Sequence, residues 1–145
     1  MSKSVKKEDK RFSKFGAVSF TQTTKVNDFI DFLEDGKIMA SRCKECSTAF
    51  FPPRADCCQC LGSNMHWFEV SGRGELVSYS QLKFAPIGFD KDLPYSIALV
   101  DYGDYRVFGR IDRNLAENEI QIGMEMTTAV DRLPEGQLSY VFKKV

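Results

Sequence analysis

Two cysteine pairs, Cys43-Lys-Glu-Cys46 and Cys57-Cys-Gln-Cys60, stand ten residues apart and constrain this chain more than any other feature. Within each pair the thiols are two residues apart, so one tight turn can aim both at a single point. Two such knuckles close a tetrahedron around Zn²⁺ at about 2.3 Å per bond. Ten intervening residues are fewer than the commonest finger spacing and suit a zinc ribbon or rubredoxin-like lobe. Taking Cys58 in place of Cys57 would give the less usual C-x-C bite. The ligand set is therefore Cys43, Cys46, Cys57 and Cys60, with Cys58 as the spare thiol. Four thiolates also suit iron; zinc is preferred because nothing else in the chain implies electron transfer.

Catalytic zinc keeps an open position beside three protein ligands, whereas four thiolates fill the shell. The expectation is a structural ion with two net negative charges, partly compensated by Arg42, Lys44 and Arg54. His66 is the only histidine; a surface or packing role is expected of it, since four cysteines already suffice. One histidine also leaves little from which to assemble a Cys-His or Ser-His-Asp nucleophile. Cys58 would need a cationic neighbour such as Arg54 to become reactive. An enzyme in its own right is disfavoured.

Clustered cysteines point to metal rather than disulfides if the chain lies in the reducing cytoplasm. The N-terminus, MSKSVKKEDKRFSKFG, is charged and lacks a signal-peptide apolar stretch, and no apolar run reaches membrane-helix length. A cytoplasmic protein without membrane attachment is expected. Residues 1–15 carry six Lys/Arg against two Asp/Glu, the remainder fourteen against eighteen. A flexible basic tail is therefore expected over 1–18, ahead of a mildly acidic body.

From Thr24, apolar Val26, Phe29, Ile30 and Leu33 recur at the spacing of one helix face. Thr23 or Thr24 can cap this helix, and Gly36 offers a left-handed stop. KIMASRC, 37–43, reads as a strand entering the cysteine region. Beyond it, β-type segments are split by Gly72-Arg73-Gly74, by Gly103-Asp104 and by Pro134-Glu135-Gly136. A connection near 112–123 has room for a short helical turn. Five or six strands with close turns and no long helix argue a small closed or partly closed barrel. The predicted organisation is a tail (1–18), a helical segment (19–36), a zinc ribbon (37–68) and a barrel (69–145).

The ordered set Arg42-Cys43 to Cys46, Phe51-Pro52-Pro53-Arg54, Cys57 to Cys60, Trp67, Ser71-Gly72-Arg73-Gly74 and Ser78-Tyr79-Ser80 resembles a known family. That acyl-CoA-associated family, long catalogued as of unknown function, joins a rubredoxin-like zinc ribbon to a C-terminal OB-fold. The resemblance covers about residues 25–145. Ser47 stands where the family usually has Gly, and Cys58 where it tends to have Pro. The resemblance implies a mainly β chain in which an N-terminal helix and zinc ribbon precede a five-stranded OB-fold barrel. It further implies a non-catalytic accessory or scaffold subunit that partners a thiolase or hydroxymethylglutaryl-CoA (HMG-CoA) synthase and lies close to acyl-CoA.

On that expectation Arg54, Arg73 and Phe84 are the candidate CoA contacts. Guanidinium forks match phosphate oxygens, although each arginine can equally serve the zinc lobe or simply face water. Phe84 belongs with Ile87 and Phe89 to a long loop, 84–96, which suits an interface or a pantetheine groove, or can tuck under the barrel mouth. Gly72 and Gly74 are read as turn or close-approach positions and Asp101, Asp104 and Asp112 as turn formers. The competing reading is an OB-fold that binds single-stranded nucleic acid through Tyr79, Phe84, Tyr95 and Phe108. Against it, residues 69–145 hold nine Lys/Arg and twelve Asp/Glu, a poor balance for a phosphate backbone.

Overall fold

A computed structural model describes residues 8–17 and 24–145. Of the expected helix cap, Thr23 lies outside these residues, while Thr24 Oγ1 accepts from the Val26 N–H at 3.2 Å. The helix itself, α1, spans Asp28–Glu34, begins after Asn27, and is followed by Gly36 at φ +80°. Seven residues are too few for a helix to persist alone. Burial of Phe29, Ile30 and Leu33 holds it in place, each contributing roughly 1.5–3 kcal/mol.

Strand β1 (Met39–Cys43) lies between β2 (Ala49–Phe50) and β3 (Met65–Glu69), both antiparallel to it. This three-stranded sheet is the ribbon that carries the cysteines. The chain then enters a closed barrel of β4 (Gly74–Leu82), β5 (Tyr95–Asp101), β6 (Arg106–Ile111), β7 (Glu125–Arg132) and β8 (Leu138–Lys144). Its order is β4-β5-β6-β8-β7, with β4 pairing β7 to close the ring and β6 parallel to β8. That is the closed barrel the strand pattern predicts and the five-stranded OB-fold the family resemblance implies. The connection between β6 and β7 contains a short helical turn at Glu117–Glu119.

The G-x-G before β4 divides its labour. Gly72 takes φ +81° in the turn, while a Cβ on Gly74 would stand 2.5 Å from Val100 Cγ1 and 2.9 Å from the Asp101 carbonyl oxygen. One glycine serves backbone conformation and the other the close approach of β4 to β5.

A single core runs through both lobes. Phe29, Ile30 and Leu33 of α1 and Ile38 and Ala40 of the ribbon join Leu76, Val100, Val107, Met126 and Phe142 of the barrel.

The leader departs from the free tail expected over 1–18. Residues 1–7 and 18 lie outside the described part, but residues 8–17 form a strap against the body. Arg11–Lys14 make a 3₁₀ turn, and the Gly16 N–H donates to the Leu138 carbonyl at 2.8 Å. Phe12 stacks on Phe29 at 6.2 Å, and Phe15 meets Phe29 edge-on at 5.9 Å. Arg11 reaches Asp28 and Asp31 at 2.8 and 2.6 Å, and Lys14 reaches Glu34 at 2.8 Å. The basic run complements an acidic helix, and its two phenylalanines supply the apolar contact that charge counting overlooks.

Candidate metal centre

The two knuckles are built alike. After Cys46, Ser47 turns left-handed at φ 63°; after Cys60, Leu61 does the same at φ 62°. The Ser47 N–H donates to the Cys43 carbonyl at 3.0 Å, and the Cys57 N–H to the Gly62 carbonyl at 2.8 Å. Ser47 thus takes the backbone conformation that glycine adopts most easily.

These turns bring the Sγ atoms of Cys43, Cys46, Cys57 and Cys60 within 4.8 Å of one another. Cys43 and Cys60 Sγ are 3.5 Å apart, as are those of Cys46 and Cys57. A tetrahedron with 2.3 Å bonds has sulfur–sulfur edges of about 3.8 Å, so the cage has the dimensions for Zn²⁺. Cys43 and Cys57 are buried, whereas Cys46, Cys60 and the spare Cys58 are exposed.

Proton affinities within the cage conflict, as expected for thiols sharing a site. The hydroxyl and backbone N–H of Thr48 hold the Cys46 thiol down at about 6, helped by Cys57 and Cys43. At Cys60, the Gly62 N–H favours the thiolate, but the Cys43 sulfur, burial and the remaining sulfurs together push it up to about 12. A divalent cation held by Cys43, Cys46, Cys57 and Cys60 would relieve this conflict by letting all four sulfurs ionise.

The flanking arginines have particular tasks. Arg42 donates from Nη1 to the Ser47 carbonyl at 2.9 Å and from Nη2 to Asp104 at 2.6 Å, its guanidinium 4.8 Å from the centre of the Phe68 ring. It ties the first knuckle to the turn between β5 and β6, a link the sequence reading missed because its partner lies 62 residues away. Asp104 is therefore a clasp as well as a turn residue. Asp101 and Asp112 do form turns, accepting from the N–H groups of Gly103 and Asn114. His66 sits on β3 opposite Arg42, outside the sulfur cluster, with its Nδ1 buried and unpartnered.

The candidate CoA contacts do not converge. Arg54 belongs to the ribbon, with its guanidinium 5.3 Å over the Phe50 ring and its N–H on Ser41 Oγ. Arg73 precedes β4 and pairs with Glu125 at 3.0 Å. Phe84 lies beyond the other end of that nine-residue strand and is 90% exposed. Among the described residues, no helix is long and apolar enough to cross a membrane.

Comparison with known proteins adds relationships to this geometry. Residues 31–66 match the family model for the ChsH2 rubredoxin-like zinc ribbon domain, and residues 67–131 match that for the ChsH2 C-terminal OB-fold domain. A DUF35 domain-containing scaffold protein of Methanocaldococcus jannaschii is 30% identical over 112 residues, covering 73% of this chain and 79% of the relative. The benzoylsuccinyl-CoA thiolase subunit BbsA of Thauera aromatica is 26% identical, covering 81% of this chain and 85% of that one. Among solved structures, the Ltp2-ChsH2(DUF35) aldolase superposes with a TM-score of 0.67 at 24% identity, covering 88% of this chain and 98% of the matched one. At that identity the likeness speaks for the fold.

Proposed function

The chain belongs to the DUF35 (ChsH2-type) family, and on that premise we propose that it is a non-catalytic accessory subunit that binds acyl-CoA and scaffolds a thiolase or HMG-CoA synthase type enzyme. The observation that carries this reading is the composition of the cage. Cys43, Cys46, Cys57 and Cys60 converge as a complete four-sulfur set, which would hold a structural zinc and leave no ligand position for substrate. On this reading the ribbon (37–68) is stapled by the ion, and the barrel (69–145) presents the working surface. The zinc supplies fold stability through those four side chains, and whatever bond-making occurs belongs to the partner.

Relatives support the scaffold role. Proteins at comparable identity carry the description of scaffold, and BbsA is a subunit of a thiolase that acts on a CoA thioester. The test is co-purification with the thiolase-type enzyme of the same cells, alongside a thioester assay on the isolated chain. A stable complex and an inert isolated chain are expected. Separate elution of the two proteins, or thioester turnover that disappears in Cys58→Ser, would overturn the reading.

A further inference from the structure

We propose that the outer face of β5 and β6 holds the uncharged acyl-pantetheine arm of a thioester and takes no part in gripping its nucleotide end. This rests on the acyl-CoA reading above and specifies which portion of the ligand the chain recognises.

The strands alternate as a half-buried sheet must. Ala98, Val100, Val107 and Ile111 point into the core, so Ile97, Leu99, Phe108 and Arg110 face outward. Register sets Ile97 opposite Arg110 and Leu99 opposite Phe108. Over part of this face lies a groove of about 400 Å³, whose walls include Leu82, Phe89, Leu133, Tyr140 and, from the strap, Phe15. Its volume falls in the ordinary range for a small-ligand site. Phe108 remains 52% exposed, and on the adjoining loop Phe84 and Ile87 are 90% and 98% exposed. A covering ligand would remove this apolar surface from water.

Charge selects the occupant. Among the described residues, Arg110 is the one charged residue lining the groove, and its charge is already matched. Nη1 donates to Asp92 at 2.9 Å, both side chains are mostly buried, and the guanidinium lies 4.0 Å over the Tyr95 ring. A diphosphate would meet a guanidinium whose charge Asp92 already neutralises, and taking the full charge for itself would cost Asp92 its partner. The adjoining cleft shares Arg110 and carries Lys91 and Arg113 against Asp92, Asp112, Glu117 and Asp131, an unfavourable field for phosphates. A neutral arm with two amides and a thioester instead needs apolar walls and a few donors. The remaining N–H groups of Arg110 and the Ser139 hydroxyl stand at the groove to provide them.

The experiment is calorimetric titration of the zinc-loaded full chain with hexanoyl-pantetheine, hexanoyl-CoA and adenosine 3′,5′-bisphosphate. The first two should bind within about threefold of each other, and the bisphosphate should neither bind nor compete. Phe108→Asp, at an exposed position, should weaken both by about tenfold or more with an unchanged melting temperature. Methyl NMR shifts at Ile97 and Leu133 should move with hexanoyl-pantetheine in the unsubstituted protein, independently of how any variant folds. Competition by the bisphosphate, or full affinity in Phe108→Asp, would remove the groove proposal while leaving acyl-CoA binding intact. Silence of all three probes, with the enzyme complex still forming, would remove this proposal and the ligand half of the functional reading but spare the scaffold. Loss of the enzyme complex in Phe108→Asp, without any ligand binding to the original chain, would make the groove a protein interface instead.

Discussion

Arg42 and Asp104 meet at 2.6 Å across the boundary between ribbon and barrel, and the same guanidinium holds the carbonyl of Ser47 in the first cysteine knuckle. Partly exposed ion pairs contribute little by themselves. Asp104→Asn should therefore lower stability by well under about 1 kcal/mol, and less at high salt. Arg42→Ala also loses the Ser47 hydrogen bond and the Phe68 face, so about 1–2 kcal/mol is expected. Urea denaturation of both variants and of the double mutant separates the contributions. A double mutant whose loss equals the sum of the two single losses would refute the clasp.

The cysteine assignment makes a sharper demand. Serine at Cys43, Cys46, Cys57 or Cys60 should abolish stoichiometric zinc, and serine at Cys58 should leave it intact, as read by metal analysis of the purified protein. Chelation should lower the melting temperature of the Cys58→Ser variant as far as that of the unsubstituted chain, since structural zinc sites contribute folding free energy directly.

Residues 8–17 are held by aromatic contact more than by charge. Phe15→Ala removes a ring packed near Phe29 and Tyr140 and should destabilise by about 1–2 kcal/mol with little salt dependence. Arg11→Ala, whose partners are exposed carboxylates, should produce a smaller loss that fades with added salt. Thermal melts at two ionic strengths distinguish the cases.

Tyr140 donates its hydroxyl to the Phe108 carbonyl at 2.6 Å, and burial raises its phenol above the ordinary tyrosine range. The unfolded phenol ionises near pH 10 while the folded one keeps its proton. Stability is thus fully present below about pH 10 and declines as pH rises past it. Burial acts in the same direction on Tyr105, pushed up to about 12, and on Tyr102. Tyr140→Phe should reduce the alkaline slope without eliminating it, at a loss near neutrality of about 1 kcal/mol for the missing hydrogen bond. Denaturation midpoints at pH 8 and pH 11 give the comparison.

Much of this architecture was legible in local chemistry. Gly72, Gly103 and Gly136 all take positive φ at the turns their neighbours announced, and the cysteine spacing alone prescribed two knuckles. Less legible were contacts that close long loops. Arg42 could be suspected of balancing thiolate charge, but nothing local points to Asp104. Phe12 and Phe15 lie within a charged run, so their role emerges only when Phe29, Phe51 and Tyr140 form an aromatic group beside them. The arginines singled out for phosphate were chosen by residue type, which carries no information about partners; Glu125 and the Phe50 ring are what they meet. Arg110, like Arg42 a guanidinium with a ring beneath it and a carboxylate beside it, had no sequence signature at all.

The uninterrupted core from α1 through the ribbon into the barrel has a practical consequence. Because Ile38 and Ala40 share neighbours with the barrel interior, the molecule has no natural cutting point between its two named parts. A cobalt ion seated in the cysteine cage would serve as a distant optical gauge of barrel integrity, its colour fading in step with the melting of strands that never touch it.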